Sequence, residues 1–401
     1  MAVFFLFIIY MAFISLGLPD SLLGVAWPLM GTEFGVPLEA AGAVSMLTAG
    51  GAILSGLASG AVVKRLGTGK VVFVSCVMTA GSLLGFSLSS SYIWLLFLAV
   101  PLGLGAGSVD AGLNNYIATH YKAHHMSWLH CCWGVGATIG PIIMSWSMGG
   151  GNSWRSGYLT VSVIQFSLAV LLFSTLPLWK RREQKAEYGA SGPKAAEPAP
   201  EAGPSDEKAK AARPIGIKGV KFAMLTFAFY CGAESTMGLW GSSYLVNVKE
   251  LTAATAAQWA STYYAGIMTG RFISGFITMK LSNRALIRLG QLLSLAGTLL
   301  LLLPLPAVFS LVGFMLIGLG FAPIFPCMVH ETPARFGKAN SQTIIGFQMA
   351  SAYAGGTFLP PLLGLVASHT DIRIFPFFVL LFLITMLACS ESINRLILSR
   401  R

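Results

Sequence analysis

Charged side chains are scarce in this chain: 10% of its 401 residues are Asp, Glu, Lys or Arg, against about 25% in an ordinary soluble domain. That scarcity excludes a soluble globular enzyme. The sequence also lacks any nucleophile motif, phosphate loop or paired metal motif, and the glycines of GLGAG at 103–107 sit inside an apolar run without the strand-to-helix turn that dinucleotide binding needs. No catalysis, cofactor or metal is therefore expected. Cys76, Cys131, Cys132, Cys231, Cys327 and Cys389 all lie in apolar segments with no CxxC spacing, which reads as buried thiols and not as a zinc site or a disulfide framework.

Apolar length is abundant instead. Hydrophobic residues make up 55% of the chain, mean hydropathy is +0.72, and a membrane-spanning helix needs about 20 mostly apolar residues. Hydropathy windows and the punctuation of Gly, Pro and charge predict twelve helices, at 4–30, 41–63, 69–88, 92–118, 127–148, 157–179, 221–247, 256–279, 285–303, 306–329, 341–366 and 373–396. The run from Val3 has no basic flank and outlasts a secretory signal, so it is expected to stay as the first span. Between the sixth and seventh helices lies one polar stretch, KRREQK followed by Ala, Pro, Glu and Gly in low-complexity order, which cannot bury a core. The expected organisation is a six-helix bundle over 1–179, a flexible cytoplasmic linker over 180–220 and a second six-helix bundle over 221–401.

The net charge of +11 is no sign of nucleic-acid binding, because the basic residues fall in short clusters between apolar runs. Only Arg155, Lys249 and Arg373 lie on the side opposite the linker and both termini, with Arg271 inside a helix. The positive-inside tendency then places both termini and the linker in the cytoplasm, in a multi-pass protein of a bacterial cytoplasmic membrane, expected to be a monomer among membrane lipids. His120, His124 and His125 cluster with Lys122 in what reads as a solvated, lipid-facing loop and not a metal site.

The two halves echo each other in order. LPDSLLG at 18–24 matches GAESTMG at 232–238, setting Asp20 against Glu234; SGAVVKR matches SGFITMK, GLGAG matches GLGFA, and GATIGP matches GGTFLP. Such a six-plus-six repeat puts a binding site between halves near the bilayer midplane. This repeat, the linker and the turn GAVVKRLGTGK, with Gly60, Lys64, Arg65, Gly67 and Lys70 as gating-loop candidates, resemble the major facilitator superfamily; Lys64 stands where that pattern carries an Asp, which bears on a gating salt bridge and not on the fold. GLGAGSVDAGLNN, FYCGAESTMG, YAGIMTGRFISGF and LIGLGFAPIFP further resemble the fucose:proton symporter family and its glucose/mannose:proton branch. The resemblance implies an all-α fold of two pseudo-symmetric six-helix bundles. It also implies secondary active symport of a small neutral sugar, with an acid in helix 4 and a polar or acidic residue in helix 1, here Asp110 and Asp20, carrying proton coupling and sugar recognition.

The residues themselves point the same way. Asp20, Asp110 and Glu234 interrupt apolar runs, each at about 2.5–3.5 kcal/mol on insertion scales. Asp110 shares a stripe with Gly103, Gly107 and Asn114, Asp20 with Gly17, Gly24 and Trp27, and Glu234 with Tyr230, Gly238 and Gly241. Carboxylates and amides beside aromatic rings suit sugar hydroxyls and C–H faces, and the substrate-site candidates are Asp20, Trp27, Asn114, Asn115, Trp133, Glu234, Trp240, Gln348 and Tyr353. The alternative is helix packing through glycines with locally bonded acids. Arg271 either pairs with one of the carboxylates or snorkels to the membrane surface. His130 is either a relay member or an interfacial structural histidine. The Gly-Pro fragment GATIGP keeps a proton-coupled exporter of drugs or metabolites open, and a non-transporting membrane sensor is the remaining reading.

Overall fold

The structure, a computed structural model, describes residues 2–121, 123–149, 153–190, 214–277 and 280–398. Among them fourteen α-helices account for twelve crossings: α1 (Ala2–Asp20) with α2 (Leu22–Phe34), α3 (Ala40–Leu66), α4 (Thr68–Leu88), α5 (Tyr92–His120), α6 (Ala123–Gly149), α7 (Trp154–Ala190), α8 (Val220–Asn247), α9 (Ala253–Ile277), α10 (Asn283–Leu302), α11 (Val308–Phe321) with α12 (Ile324–Phe336), α13 (Lys338–His369) and α14 (Phe375–Leu398). The predicted first and tenth helices are thus each broken in two. Pro19 and Pro323 lie at the breaks and have no N–H to continue the backbone ladder.

Two other boundaries depart from expectation. Helix α7 continues to Ala190 instead of stopping at 179, because KRREQKAEYGA is rich in good helix formers and an established helix propagates cheaply through them. Of the rest of the expected linker, 191–213 lies outside the described residues, and so does Lys122, while Pro214–Gly216 form a short 3-10 turn before α8 starts at Val220. The expected gating loop shrinks to a single residue: Lys64 and Arg65 occupy the last turn of α3, Gly67 turns the chain at φ 80°, and α4 starts at Thr68.

Among the described residues nine crossings are long and apolar enough to span a membrane on their own. The three that fall short, α6, α8 and α9, carry the Ser, Thr, Gly, His, Glu and Arg of the interior-facing motifs. A helix shielded by its neighbours needs less hydrocarbon on its surface than one bathed in lipid.

The repeat is built into the packing. Helix α1 lies on α6 as α8 lies on α13, and α3 lies on α5 as α9 lies on α11. A Cβ on Gly136 would come within 1.9 Å of the Ile14 carbonyl and one on Gly355 within 1.9 Å of the Ala228 carbonyl; a Cβ on Gly103 or Gly318 would lie 2.0 Å from the carbonyl of Thr48 or Tyr263. Backbone-to-backbone contact at matched positions of the two halves is the glycine-mediated packing that stands in for a hydrophobic drive inside lipid.

The halves meet unevenly. At the end away from the chain termini one apolar core takes residues from both, including Trp27 and Met30 of α2, Trp154 of α7, Trp240 and Tyr244 of α8, Phe314 of α11 and Phe375 of α14. Gly24 abuts the Gly238 backbone there, and Gly42 abuts Pro361. At the end bearing the termini each half keeps its own further cluster, around Phe5, Phe13 and Trp179 in the first and around Val220, Phe336 and Ile393 in the second. The molecule is joined at the far end and divided at the terminal end. Replacing Gly136 with Val should force α1 and α6 apart and lower thermal stability by about 1–3 kcal/mol, whereas Gly50→Ala, at a position with no atom within 4 Å, should be neutral; equal melting temperatures for both variants in detergent would contradict this packing.

Candidate functional site

The break between α1 and α2 leaves Asp20 at the last helical position of α1, halfway through the first crossing. Its side chain is solvent-accessible although it touches the interior, because it faces the division between halves. The indole Nε1–H of Trp133 on α6 donates to Asp20 Oδ2 at 2.7 Å. The Trp133 ring in turn faces the second half, with the Arg271 guanidinium 5.2 Å from its centroid and Tyr264 edge-on at 6.4 Å. Arg271, on α9, pairs with Glu234 Oε1 on α8 at 3.6 Å, both side chains being about four-fifths buried. Asp20, Trp133, Arg271 and Glu234 therefore form one polar run that crosses from the first half to the second. Of the two fates open to Arg271, the structure has the carboxylate pair.

Around this run stand further polar groups. Asp110 on α5 is close enough to Asp20 to interact electrostatically, and Asn114 Nδ2 donates to Asp110 Oδ1 at 2.9 Å. Tyr353 on α13, 54% exposed, is within electrostatic reach of Asp110 from the other half. Asn115 is exposed. Tyr230 donates its hydroxyl to the Phe321 carbonyl at 3.3 Å and lies beside both Glu234 and Arg271. His130 packs edge-on against Phe13 at 5.7 Å, within electrostatic reach of Arg271. Asn114 Oδ1 is buried and accepts no hydrogen bond among the described residues, whereas the buried Glu234 Oε1 has the Arg271 guanidinium at 3.6 Å. Unsatisfied buried acceptors cost free energy unless a donor reaches them.

Three expected site residues lie elsewhere. Trp27 is 1% exposed and donates to the Leu38 carbonyl at 3.1 Å; being two turns beyond the helix break, it belongs to the shared core at the far end. Trp240 is 0% exposed and donates to the Pro360 carbonyl at 2.7 Å in the same core. Gln348 is 2% exposed, and its Oε1 accepts from Thr332 Oγ1 at 3.0 Å inside the second half, joining α12 to α13. The glycine stripes also belong to packing: Gly103 and Gly107 are closed over by α3, Gly17 by α6, and Gly241 by Phe314. Gly60, Lys64, Arg65 and Lys70 are exposed, with Gly67 less so, and none of the ion pairs among the described residues involves Lys64, Arg65 or Lys70.

Sequence reasoning missed Tyr264, although it lies two turns before Arg271 on the same face of α9. It also missed two charge clusters at the helix ends. At the far end Arg155 pairs with Glu33 at 2.6 Å and donates to the carbonyls of Ser87 and Ser89. At the terminal end Glu331 accepts from Arg284 at 3.4 Å and Arg335 at 3.3 Å, while Arg288 pairs with Glu391 at 2.7 Å, tying α10, α12 and α14 together.

Residues 4–330 match the Major Facilitator Superfamily. The chain belongs to that superfamily. Among curated relatives, the Bacillus subtilis glucose/mannose transporter GlcP is 25% identical over 291 residues, 70% of this chain and 67% of that one. The Saccharomyces cerevisiae "Bypass of stop codon protein 6" is 23% identical over 305 residues, covering 72% of this chain but only 61% of the yeast protein's length. Among solved structures, a bacterial homolog of the human lysosomal transporter Spinster, inward-facing and occupied, superposes with a TM-score of 0.72 at 12% identity over 98% of this chain and 96% of that one. A peptide transporter gives 0.73 at 13% over 98% and 95%, and a D-xylose-proton symporter 0.70 at 13% over 95% and 96%. At these identities the structures share the fold alone, the major facilitator fold; with the family match, the chain is a multi-pass membrane transporter of that superfamily and not an enzyme.

Removing one member of the Arg271–Glu234 pair leaves the other charge largely buried, at about 3–5 kcal/mol for a fully buried pair and toward the lower end here. Arg271→Gln should therefore lower the melting temperature, and adding Glu234→Gln should restore at least about half of the loss. Strictly additive losses in thermal unfolding would show that the two do not interact.

Proposed function

We propose that this transporter imports a small neutral sugar, a hexose or deoxyhexose, together with a proton. The observation that carries the reading is the polar run through Asp20, Trp133, Arg271 and Glu234, flanked by the buried Asn114 Oδ1, which accepts no hydrogen bond among the described residues. A polyol supplies many hydroxyl donors and apolar C–H faces, which fit carboxylate and amide oxygens beside the rings of Trp133, Tyr264 and Tyr353. The name of one similar protein, a glucose/mannose transporter, supports a sugar.

Proton coupling follows from charge. Asp20, Asp110 and Glu234 face one contacting cation, Arg271, so full ionisation leaves two negative charges in excess in the division between the halves. A proton on Asp110 or Asp20 relieves half of that. It also frees the carrier to turn, since a ligand moves a two-state equilibrium only through a difference in its affinity for the two states. With basic residues inside, the divided end of the molecule faces the cytoplasm of a bacterial cell, where a lower proton concentration favours release of proton and then sugar.

An exporter reading rests on GATIGP, and Gly136 and Gly140 of that fragment are occupied in packing against the carbonyls of Ile14 and Leu18. A proteoliposome uptake panel of hexoses, deoxyhexoses and amino sugars, with and without an inward proton gradient, tests the proposal. Sugar uptake should be accompanied by proton entry, and Asp110→Asn should abolish uphill accumulation while preserving sugar exchange. Gradient-driven accumulation by Asp110→Asn, or protons leaving as solute enters, would overturn it.

A further inference from the structure

Inside the first half, away from the central division, three polar side chains gather on one amide. Gln165 of α7, 1% exposed, donates from Nε2 to the Ser15 carbonyl of α1 at 2.6 Å. Its Oε1 accepts from Ser15 Oγ at 2.8 Å, Thr79 Oγ1 at 3.4 Å and Cys76 Sγ at 3.5 Å. The Ser15 hydroxyl at the oxygen and the Ser15 carbonyl at the nitrogen fix the orientation of the amide, since Thr79 Oγ1 and Cys76 Sγ also have closer acceptors in the Cys76 and Gln165 carbonyls, at 3.0 and 3.4 Å.

The Ser15 carbonyl is no ordinary helix carbonyl. Its ladder partner in an α-helix is the N–H of residue 19, and residue 19 is Pro. The helix loses a rung at the point where it breaks before α2, one residue from Asp20. In lipid such a freed backbone group must find another partner, and Gln165 supplies it from the neighbouring helix. The adjoining cavity, about 10 Å³ and lined by Ser15, Pro19, Cys76, Thr79 and Gln165 among others, has room for a single water at most. The cluster is therefore a joint and not a second ligand pocket.

We propose that Gln165 is a positioning residue. It takes over the backbone donor that Pro19 lacks, holds α1 at its broken angle, and so sets Asp20 where Trp133 Nε1 can bond it. Without that support the end of α1 can drift, and the Asp20–Trp133 bond, on which the polar run between the halves depends, loses its geometry. The titratable groups facing Asp20 from the neighbouring elements are Asp110 of α5 and Tyr264 of α9, so displacing Asp20 alters its relation to both.

The test is a cycle with Pro19→Ala, which returns an N–H to position 19 and makes the amide of Gln165 dispensable for the Ser15 carbonyl. Hydrogen exchange of the segment spanning Ala12 to Gly24 is read in the full chain, purified and monodisperse. Gln165→Met, which keeps volume but has no donor, should speed exchange there by about tenfold, and Gln165→Met in the Pro19→Ala background should not. Ser15→Ala, which removes the hydroxyl but keeps the carbonyl, should leave exchange within about twofold of the parent. If Gln165→Met does not yield folded protein, Gln165→Asn, too short to reach across, serves in its place. This readout is independent of the proposed transport activity, so it stands or falls separately. The second readout rests on that activity: Gln165→Met should move the pH midpoint of sugar uptake by about half a unit or more, with recovery in the double variant. Equal exchange effects of Gln165→Met with and without Pro19→Ala, or lowered uptake with an unmoved pH midpoint, would overturn the proposal.

Discussion

The pairing of Trp133 with Asp20 on one side and with Arg271 on the other is the contact on which the rest of the site depends. It is the place where a carboxylate of the first half and a cation of the second share a single side chain. An indole suits that task because it is amphipathic: its N–H satisfies one charged oxygen while its face attracts a guanidinium. The Arg271–Glu234 pair then anchors the run in the second half. A change in charge at either end alters what the two halves gain by staying together, and in the proposed symport this is the route by which proton and solute occupancy would bias a rocking motion.

That bias acts on a frame with two kinds of contact. At the far end the halves share one apolar core and touch backbone to backbone at Gly24 and Gly42. At the terminal end they keep separate clusters, and the charge pairs of Glu331 and Glu391 with Arg284, Arg288 and Arg335 bind α10, α12 and α14 within the second half instead of across the division. Within each half, glycine contacts at matched positions make the bundle stiff. Motion is therefore left to the surface between bundles, where the polar run lies.

The sequence made some of this legible and concealed the rest, for physical reasons. Twelve crossings and the repeat were readable because hydropathy and the order of small-residue motifs are local properties. The carboxylates and Arg271 were conspicuous because charge inside an apolar run is costly. Trp27, Trp240 and Gln348 were misplaced because helical periodicity gives a residue's face but not its depth, and two turns along a helix separate the midplane from the sealed end. The glycine stripes left a ligand surface and close helix packing both open, and they form contact seams, since a missing side chain looks the same in sequence whether a helix or a solute fills the space. Gln165 carried no signal at all: its role comes from Pro19, far away in the chain, and only the fold brings them together.

The central claim is that the molecule divides at the terminal end and seals at the far end by turns around a charged midplane. Paired spin labels on α3 and α13, one pair near Gly60 and Gly346 and another near Gly42 and Pro361, measure it most directly in reconstituted protein. Adding sugar at low pH should shift the first pair to shorter distances and the second to longer ones. A single distance for each pair, unchanged by proton and solute, would contradict the account.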